Sequence, residues 1–200
     1  MSLRTVEVYS SYQGEGPQTG ATTTFVRFAG CNLKCPLWPC DTQHAIDPKI
    51  FHKTQVEWTP TALVDHVNTF NNRNVCLTGG EVFLQHPTDL MTFVEQLKAD
   101  DHFVEVFTNG TLPVSTDFID NLLINSFIVD YKLPGSGELI EGPTVERYNE
   151  NRNKLVDLLG EEDAVKFTIA DAVDFETAVE VYERYLKDVE GSPQVYAGVV

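Results

Sequence analysis

The sequence predicts an α/β fold: an open, partial (β/α) barrel with a parallel sheet and helices on its outer face. Two observations predict it. Along most of the chain an apolar run is followed by a Gly-rich or polar cluster and then by an amphipathic segment, the pattern of repeated βαβ units with right-handed crossovers. The five or six runs are also too few to close an eight-stranded barrel.

The elements follow in order. Thr5–Tyr9 and Thr23–Phe28 read as two strands flanking the turn-rich Gly14-Glu15-Gly16-Pro17. Thr59-Pro60 reads as a helix cap followed by a proline in the first turn. Asn74–Leu77 forms a strand before Thr78-Gly79-Gly80-Glu81, and Leu90, Phe93, Val94 and Leu97 repeat at helical spacing after it. Phe103–Phe107 precedes Thr108-Asn109-Gly110, and Phe127–Val129 precedes Asp130-Tyr131-Lys132. Val165–Ile169 precedes Ala170-Asp171, and Gln194–Val200 ends the chain. Between these last two, Phe175, Ala178, Val179, Tyr182 and Leu186 form a second helical stripe, with Asp174 as its expected N-cap. The loops after the strands hold nearly all the chemically useful residues. In such sheets those loops gather at one carboxyl edge, so a site across one rim is expected.

Composition narrows the function classes. A hydrophobic fraction of 42% supports a real core, and 200 residues fit one domain over positions 1–200. The net charge of −16, from 14 basic against 30 acidic residues, argues against duplex nucleic acid as a partner. No apolar stretch is long enough to span a membrane, and the N-terminus lacks an apolar signal region. A cytoplasmic protein is expected, where structural disulfides are rare.

Three of the four cysteines, Cys31, Cys35 and Cys40, crowd into ten residues. Thiolates favour soft metals, zinc or iron–sulfur. Structural zinc wants four ligands, usually as two pairs. Three thiols in one loop suit a [4Fe–4S] cluster with one open iron, able to chelate S-adenosylmethionine (SAM) and cleave it to a 5′-deoxyadenosyl radical. Zinc with a borrowed ligand such as His44, or three unconnected thiols, are the alternatives that the loop alone leaves open. Cys76 reads as core. His52, His66, His86 and His102 read as surface or packing residues.

The neighbouring motifs add a resemblance. Gly30-Cys31-Asn32-Leu33-Lys34-Cys35 with Cys40-Asp41-Thr42 resembles the cluster loop of radical SAM enzymes, and its Cys-Asp-Thr ending that of the 7-carboxy-7-deazaguanine synthases. Thr78-Gly79-Gly80-Glu81 resembles the strand end that seats the SAM amino group. Thr108-Asn109-Gly110, Asp130-Tyr131-Lys132-Leu133-Pro134 with Ser136-Gly137, and Val165-Lys166-Phe167 match later signatures in order. Upstream, Ser11-Tyr12-Gln13-Gly14-Glu15-Gly16 and Phe25-Val26-Arg27 match the substrate segment. The likeness spans about residues 5–200. It departs in the cysteine spacing, C-x3-C-x4-C where the family usually has C-x3-C-x2-C. Pro36 and Pro39 stiffen the longer gap, so the loop is still expected to reach a cluster. The family also continues past the point matching Val200 into a segment that helps close the substrate site, so a naturally short version or a fragment is expected.

The resemblance implies a fold of the radical SAM type and three cofactors: a [4Fe–4S] cluster on Cys31, Cys35 and Cys40, SAM, and Mg2+. Mg2+ would sit on Thr42, with Asp41 acting through water. It implies SAM contacts from Thr78, Gly79, Gly80, Glu81, Asn109, Asp130, Lys132 and Ser136, with Glu81 accepting from the SAM ammonium. Gln13, Gly14, Glu15 and Arg27 would hold the pterin, the arginine by its carboxylate; an ordinary ion pair of Arg27 with Glu15 or another acid is the plainer reading. The implied reaction turns 6-carboxy-5,6,7,8-tetrahydropterin into 7-carboxy-7-deazaguanine with loss of ammonia. The implied partners are flavodoxin or ferredoxin as electron donor and a second copy in a homodimer, with no nucleic acid or membrane. A glycyl-radical activase, whose protein substrate would leave Gln13, Glu15 and Arg27 without a clear purpose, and a non-catalytic cluster-bearing binding module are the rivals.

Overall fold

The computed structural model describes residues 2–36, 40–137 and 143–199. Its elements run β1 (Leu3–Tyr12), β2 (Thr22–Phe28), α1 (Gln43–Ile46), α2 (Pro48–Thr54), β3 (Val56–Trp58), α3 (Pro60–Asn68), β4 (Asn74–Gly79) and α4 (Pro87–Ala99). They continue β5 (Phe103–Thr108), α5 (Asp117–Asp120), β6 (Ser126–Asp130), α6 (Pro143–Val156), β7 (Ala164–Ile169), α7 (Ala172–Val181) and β8 (Gln194–Val199). One eight-stranded sheet orders them β3-β1-β2-β4-β5-β6-β7-β8. From β2 onward every neighbour is parallel. β1 pairs antiparallel with both β2 and β3, making an N-terminal hairpin with a short added edge. The sheet is open, as expected.

The two faces separate cleanly. Val75 and Leu77 of β4, Val104 and Val106 of β5, Phe127 and Val129 of β6 and Val165 and Phe167 of β7 belong to one core cluster. That cluster also holds Leu63, Val64 and Val67 of α3 and the expected stripe Leu90, Phe93, Val94 and Leu97 of α4. Alternation turns the intervening residues to the other face. There the register aligns Phe25 with Cys76, Cys76 with Glu105, Phe107 with Ile128, and Asp130 with Lys166 and Tyr196. This inner row mixes apolar and ionisable side chains, unlike the outer row.

Two expectations about helices need correcting. Thr59 does cap α3, its hydroxyl accepting from Ala62 N–H at 3.3 Å. Asp174, however, is not the cap of α7. Asp171 is, accepting from Asp174 N–H at 2.9 Å, while Asp174 is buried in the first turn and accepts from Gly135 and Ala170 N–H at 2.7 and 3.0 Å. Tied down there, α7 buries Ala178 and Val181 and leaves Phe175, Val179 and Tyr182 exposed. Leu186 is buried again at the end of a π-type turn over Tyr182–Leu186. The three-residue β3 and the short α1 and α2 lie below what periodicity can register.

Candidate functional site

The glycines at the end of β4 set the geometry at the carboxyl rim. Gly79 has φ +126°, and a Cβ there would sit 2.3 Å from the Phe28 carbonyl. At Gly80 a Cβ would sit 1.9 Å from the Gly30 carbonyl oxygen. Only glycine allows so close an approach of β4 to the cysteine loop. Gly80 N–H donates to the Phe28 carbonyl at 3.1 Å and Glu81 N–H to that of Gly30 at 2.8 Å. Glu81 is fully buried: one carboxylate oxygen accepts from Phe83 N–H at 3.1 Å and the Thr108 hydroxyl at 2.8 Å, the other from Asn109 N–H at 2.9 Å. It locks the β4 and β5 loops together behind the wall of the site. Burial pushes its carboxyl up, against the pull of these donors and of Lys132.

In front of that wall lies a cavity of about 310 Å³. Cys31, Cys35 and Cys40 line it, with Asp41 and Thr42 beside them. Thr78, Gly79 and Gly80 at the end of β4, Asn109, Asp130 and Lys132 after the later strands, and Gln13, Glu15 and Arg27 from the N-terminal hairpin line it as well. Gly14 opens instead on an adjoining cavity with Gly16, Lys166 and Tyr196. Ser136, like Glu81, is wholly buried and outside the wall. The rim expected from sequence is therefore one site, with these three residues set apart from the main cavity.

Local contacts organise the thiols. Cys31 Sγ accepts from Leu33 N–H at 3.4 Å and from Asn109 Nδ2 at 3.8 Å, and Asn109 also reaches Asn32 at 3.2 Å. Cys35 adopts φ +44°, strained for a non-glycine residue. Cys40 Sγ lies 3.2 Å from the Thr42 hydroxyl. Thr42 occupies the cap position of α1 without making a capping bond. Burial pushes the Cys31 thiol up to about 12, helped by Glu81, Cys35 and Cys40 and opposed by the Leu33 N–H. Among the described residues no three His, Cys, Asp or Glu side chains stand close enough to hold a single ion. His44 bonds Glu7 at 3.3 Å rather than joining the thiols. The prolyl gap at Leu37–Pro39 lies outside the described residues.

The charged residues come in pairs. Lys132 Nζ contacts Asp130 at 2.6 Å. Burial would depress its ammonium, but Asp130, with Cys35 and Cys40 beyond, holds it above its ordinary value. Arg27 pairs with Glu7 at 2.5 Å and donates to the Tyr9 hydroxyl at 3.0 Å. Glu15 pairs instead with Lys166 at 2.6 Å. The ion pair of Arg27 is real, but it uses only two of five guanidinium N–H groups.

Sequence reasoning missed several cavity residues. Lys166 carried no assigned role, Phe107 was one residue of a strand, and Cys76 was read as core. Cys76 is indeed buried, but it belongs to the inner row and touches the cavity. The most informative miss is Glu105, an acid inside the apolar run Phe103–Phe107. It is 2% exposed, and burial pushes its carboxyl from 4.5 up to about 7, against the pull of Gln13 and Cys76. A carboxyl with a raised folded-state pKa stabilises fully below its unfolded value, and that stability is lost as pH rises through about 7. Glu105→Gln is therefore expected to be more stable than the native protein at alkaline pH, by up to about 3 kcal/mol, with the advantage gone near the ordinary carboxylate range. Urea unfolding at both pH values checks the sign.

A cysteine loop at the rim of an open (β/α) sheet, backed by a glycine turn, defines an iron–sulfur enzyme of the radical SAM class. Residues 12–120 match the family model described as a 4Fe-4S single cluster domain. The chain belongs to the 7-carboxy-7-deazaguanine synthase family. It is 30% identical over 186 residues to the 7-carboxy-7-deazaguanine synthase of Clostridium acetobutylicum, covering 92% of this chain and 76% of that protein. It is 33% identical over 196 residues to that of Leptospira interrogans, covering 90% and 76%. The crystal structure of QueE from Escherichia coli superposes with a TM-score of 0.68 at 21% identity, covering 98% of this chain and 82% of that one, and shares the fold.

Proposed function

We propose that this chain converts 6-carboxy-5,6,7,8-tetrahydropterin to 7-carboxy-7-deazaguanine with loss of ammonia, using a [4Fe–4S] cluster, SAM and Mg2+. The observation that carries this reading is convergence: three thiols, a glycine turn and the Gln13–Arg27 side chains meet at one cavity. The donor set suits the groups. Three thiols lining one cavity suit an iron–sulfur cluster, and the hydroxyl and carboxylate of Thr42 and Asp41 suit hard Mg2+. When bound, the cluster and SAM supply a carbon-centred radical able to remove hydrogen from the substrate.

The chain's own residues bind and orient. Gly79 and Gly80 leave the backbone bare for close approach of SAM, and Asn109, Asp130 and Lys132 offer it polar contacts from the later strand ends. Glu81 and Ser136 serve from behind, Glu81 by holding Asn109 in place. Arg27 keeps three N–H groups for the substrate carboxylate, while Glu7 and Tyr9 hold its fork still. Gln13, Gly14 and Glu15 face the aminopyrimidinone edge. The chain works as one domain over residues 1–200, in the cytoplasm, as a homodimer reduced by flavodoxin or ferredoxin. Among the described residues no helix is long and apolar enough to cross a membrane.

The deciding experiment is an anaerobic assay of the reconstituted protein with reductant, SAM, Mg2+ and carboxytetrahydropterin, read by mass spectrometry. Carboxydeazaguanine supports the reading. SAM cleavage to 5′-deoxyadenosine without it overturns the substrate, and bound zinc in place of iron overturns the cluster. Within this reading Arg27→Lys loses the bidentate fork. Its KM for the pterin is expected to rise roughly tenfold, with SAM binding unchanged by equilibrium titration.

A further inference from the structure

Beneath the proposed substrate edge, the inner row carries a buried carboxyl that no assigned role uses. Glu105 of β5 stands level with Cys76 of β4 on the inner face of the sheet, in a row that otherwise carries Phe25, Phe107 and Ile128. One of its oxygens accepts from Gln13 Nε2. The other is buried and has no hydrogen-bond partner among the described residues; a Cβ added at Gly16 would lie 3.4 Å from it. Gln13 is itself buried, and its Oε1 accepts from Gly14 N–H at 2.9 Å and more loosely from Glu15 N–H at 3.4 Å.

These contacts define the amide's orientation from both ends. An ionised carboxylate can only accept, so it must face the NH2 group. A backbone N–H can only donate, so it must face the carbonyl. The reversed amide would set acceptor against acceptor and donor against donor. With both carbonyl lone pairs of Gln13 taken by Gly14 and Glu15 N–H, what it has left over is one N–H of its amide, at the cavity wall. That N–H complements a ring C=O, such as a pterin's O4.

We propose that Glu105 is a positioning residue for the substrate: by taking one N–H of Gln13 it fixes that amide so that its other N–H is aimed at the ring carbonyl of the pterin edge. This rests on the substrate reading above. It explains why an acid is kept in a largely apolar row, where an unpaired carboxyl is costly. It also makes recognition pH-dependent, because protonated Glu105 holds the NH2 group less tightly. The titratable and charged groups facing it are Cys76 on β4, Tyr196 on β8, Arg27 on β2 and the Glu15–Lys166 pair. Burial pushes Cys76 and Tyr196 up, so both stay neutral through the window in which Glu105, at about 7, changes charge.

The test is equilibrium binding of 6-carboxypterin, a fluorescent oxidised form of the substrate, to the reconstituted enzyme with SAM across neutral pH. The native enzyme is expected to bind about tenfold more tightly on the alkaline side. Glu105→Gln, isosteric and uncharged, should bind at the weaker level at all pH values, with SAM affinity unchanged. Gln13→Leu should be no further weakened by adding Glu105→Gln, since the carboxyl acts through the amide. Tight binding by the native enzyme with an unchanged Glu105→Gln profile, or additive losses in the double variant, overturns the positioning role and leaves the substrate reading intact. A native enzyme that binds no carboxypterin at any pH overturns the substrate reading, and this inference with it.

Discussion

Cys31→Ala, reconstituted anaerobically with iron and sulfide, is expected to hold no stable [4Fe–4S] cluster and to lose SAM cleavage. The loss should be on the order of 10⁴-fold or more, the scale seen when one member of an interdependent catalytic set is removed. Cys31 is firmly engaged by its neighbours. It receives Leu33 N–H and Asn109 Nδ2, and Asn109 is held in turn by Glu81. Its removal therefore takes away one end of a chain of contacts that runs from the cysteine loop through Asn109 to Glu81. Two measurements check the prediction: the iron and sulfide content of purified protein, and 5′-deoxyadenosine formed under strong reductant. Retained cleavage in Cys31→Ala would remove the cluster loop from the mechanism. The fold should survive, because among the described residues the loop contributes only Leu33 and Ala45 to the buried apolar set around it.

Gly80→Ala should do damage of a different kind. The new methyl would fall 1.9 Å from the Gly30 oxygen, 2.4 Å from its carbonyl carbon and 3.0 Å from Cys31 N. All three are backbone atoms, so no side-chain rotation relieves the clash. Gly30 cannot simply withdraw, since its carbonyl accepts from Glu81 N–H and its own N–H donates to the Ala45 carbonyl at 2.7 Å. Something in the cysteine loop or the end of β4 must move. The expected destabilisation is about 4 kcal/mol, at the severe end for a single substitution, or a fall in Tm of roughly 8–16 °C for a chain of this size. SAM binding should fail even where the protein remains folded. Gly198→Ala is the control: nothing lies within 4 Å of its Cβ position, and its Tm should stay within about 2 °C of native. Calorimetry and SAM titration on both variants test this, and a Gly80→Ala protein with native Tm and SAM affinity would refute the close-approach argument.

Both predictions depend on residues that were visible before any fold was known. Ordered motifs such as Gly30–Cys35, Cys40–Thr42 and Thr78–Glu81 are local: the chemistry demands neighbouring residue types, so the chain writes them in one stretch. The strands were legible for a related reason. Val75–Leu77 and Val104–Val106 are buried on the outer face and half-lined by apolar groups on the inner one, which leaves near-continuous apolar runs. The α4 stripe was legible because the helix packs flat on the sheet and all four of its marked residues are buried. The α7 stripe misled because Asp174, fixed by Gly135 and Ala170, rotates that helix about a polar anchor that hydropathy does not register.

By itself, the amino-acid sequence determined the chemistry class, the main strands with the helices over Thr59–Pro60, Leu90–Leu97 and Phe175–Leu186, and many of the residues that line the cavity at the carboxyl rim. Each rests on short-range constraint: thiol spacing, glycine turns and apolar periodicity. Only the tertiary structure decided which partners those residues have. It gave Arg27 to Glu7 and Glu15 to Lys166, set Glu81 behind the wall, and brought Glu105 under Gln13 across 92 residues of chain. The physical reason is that ion pairs and hydrogen bonds act over a few ångströms of space, and parallel strands bring together side chains whose separation in sequence is fixed by the helices between them.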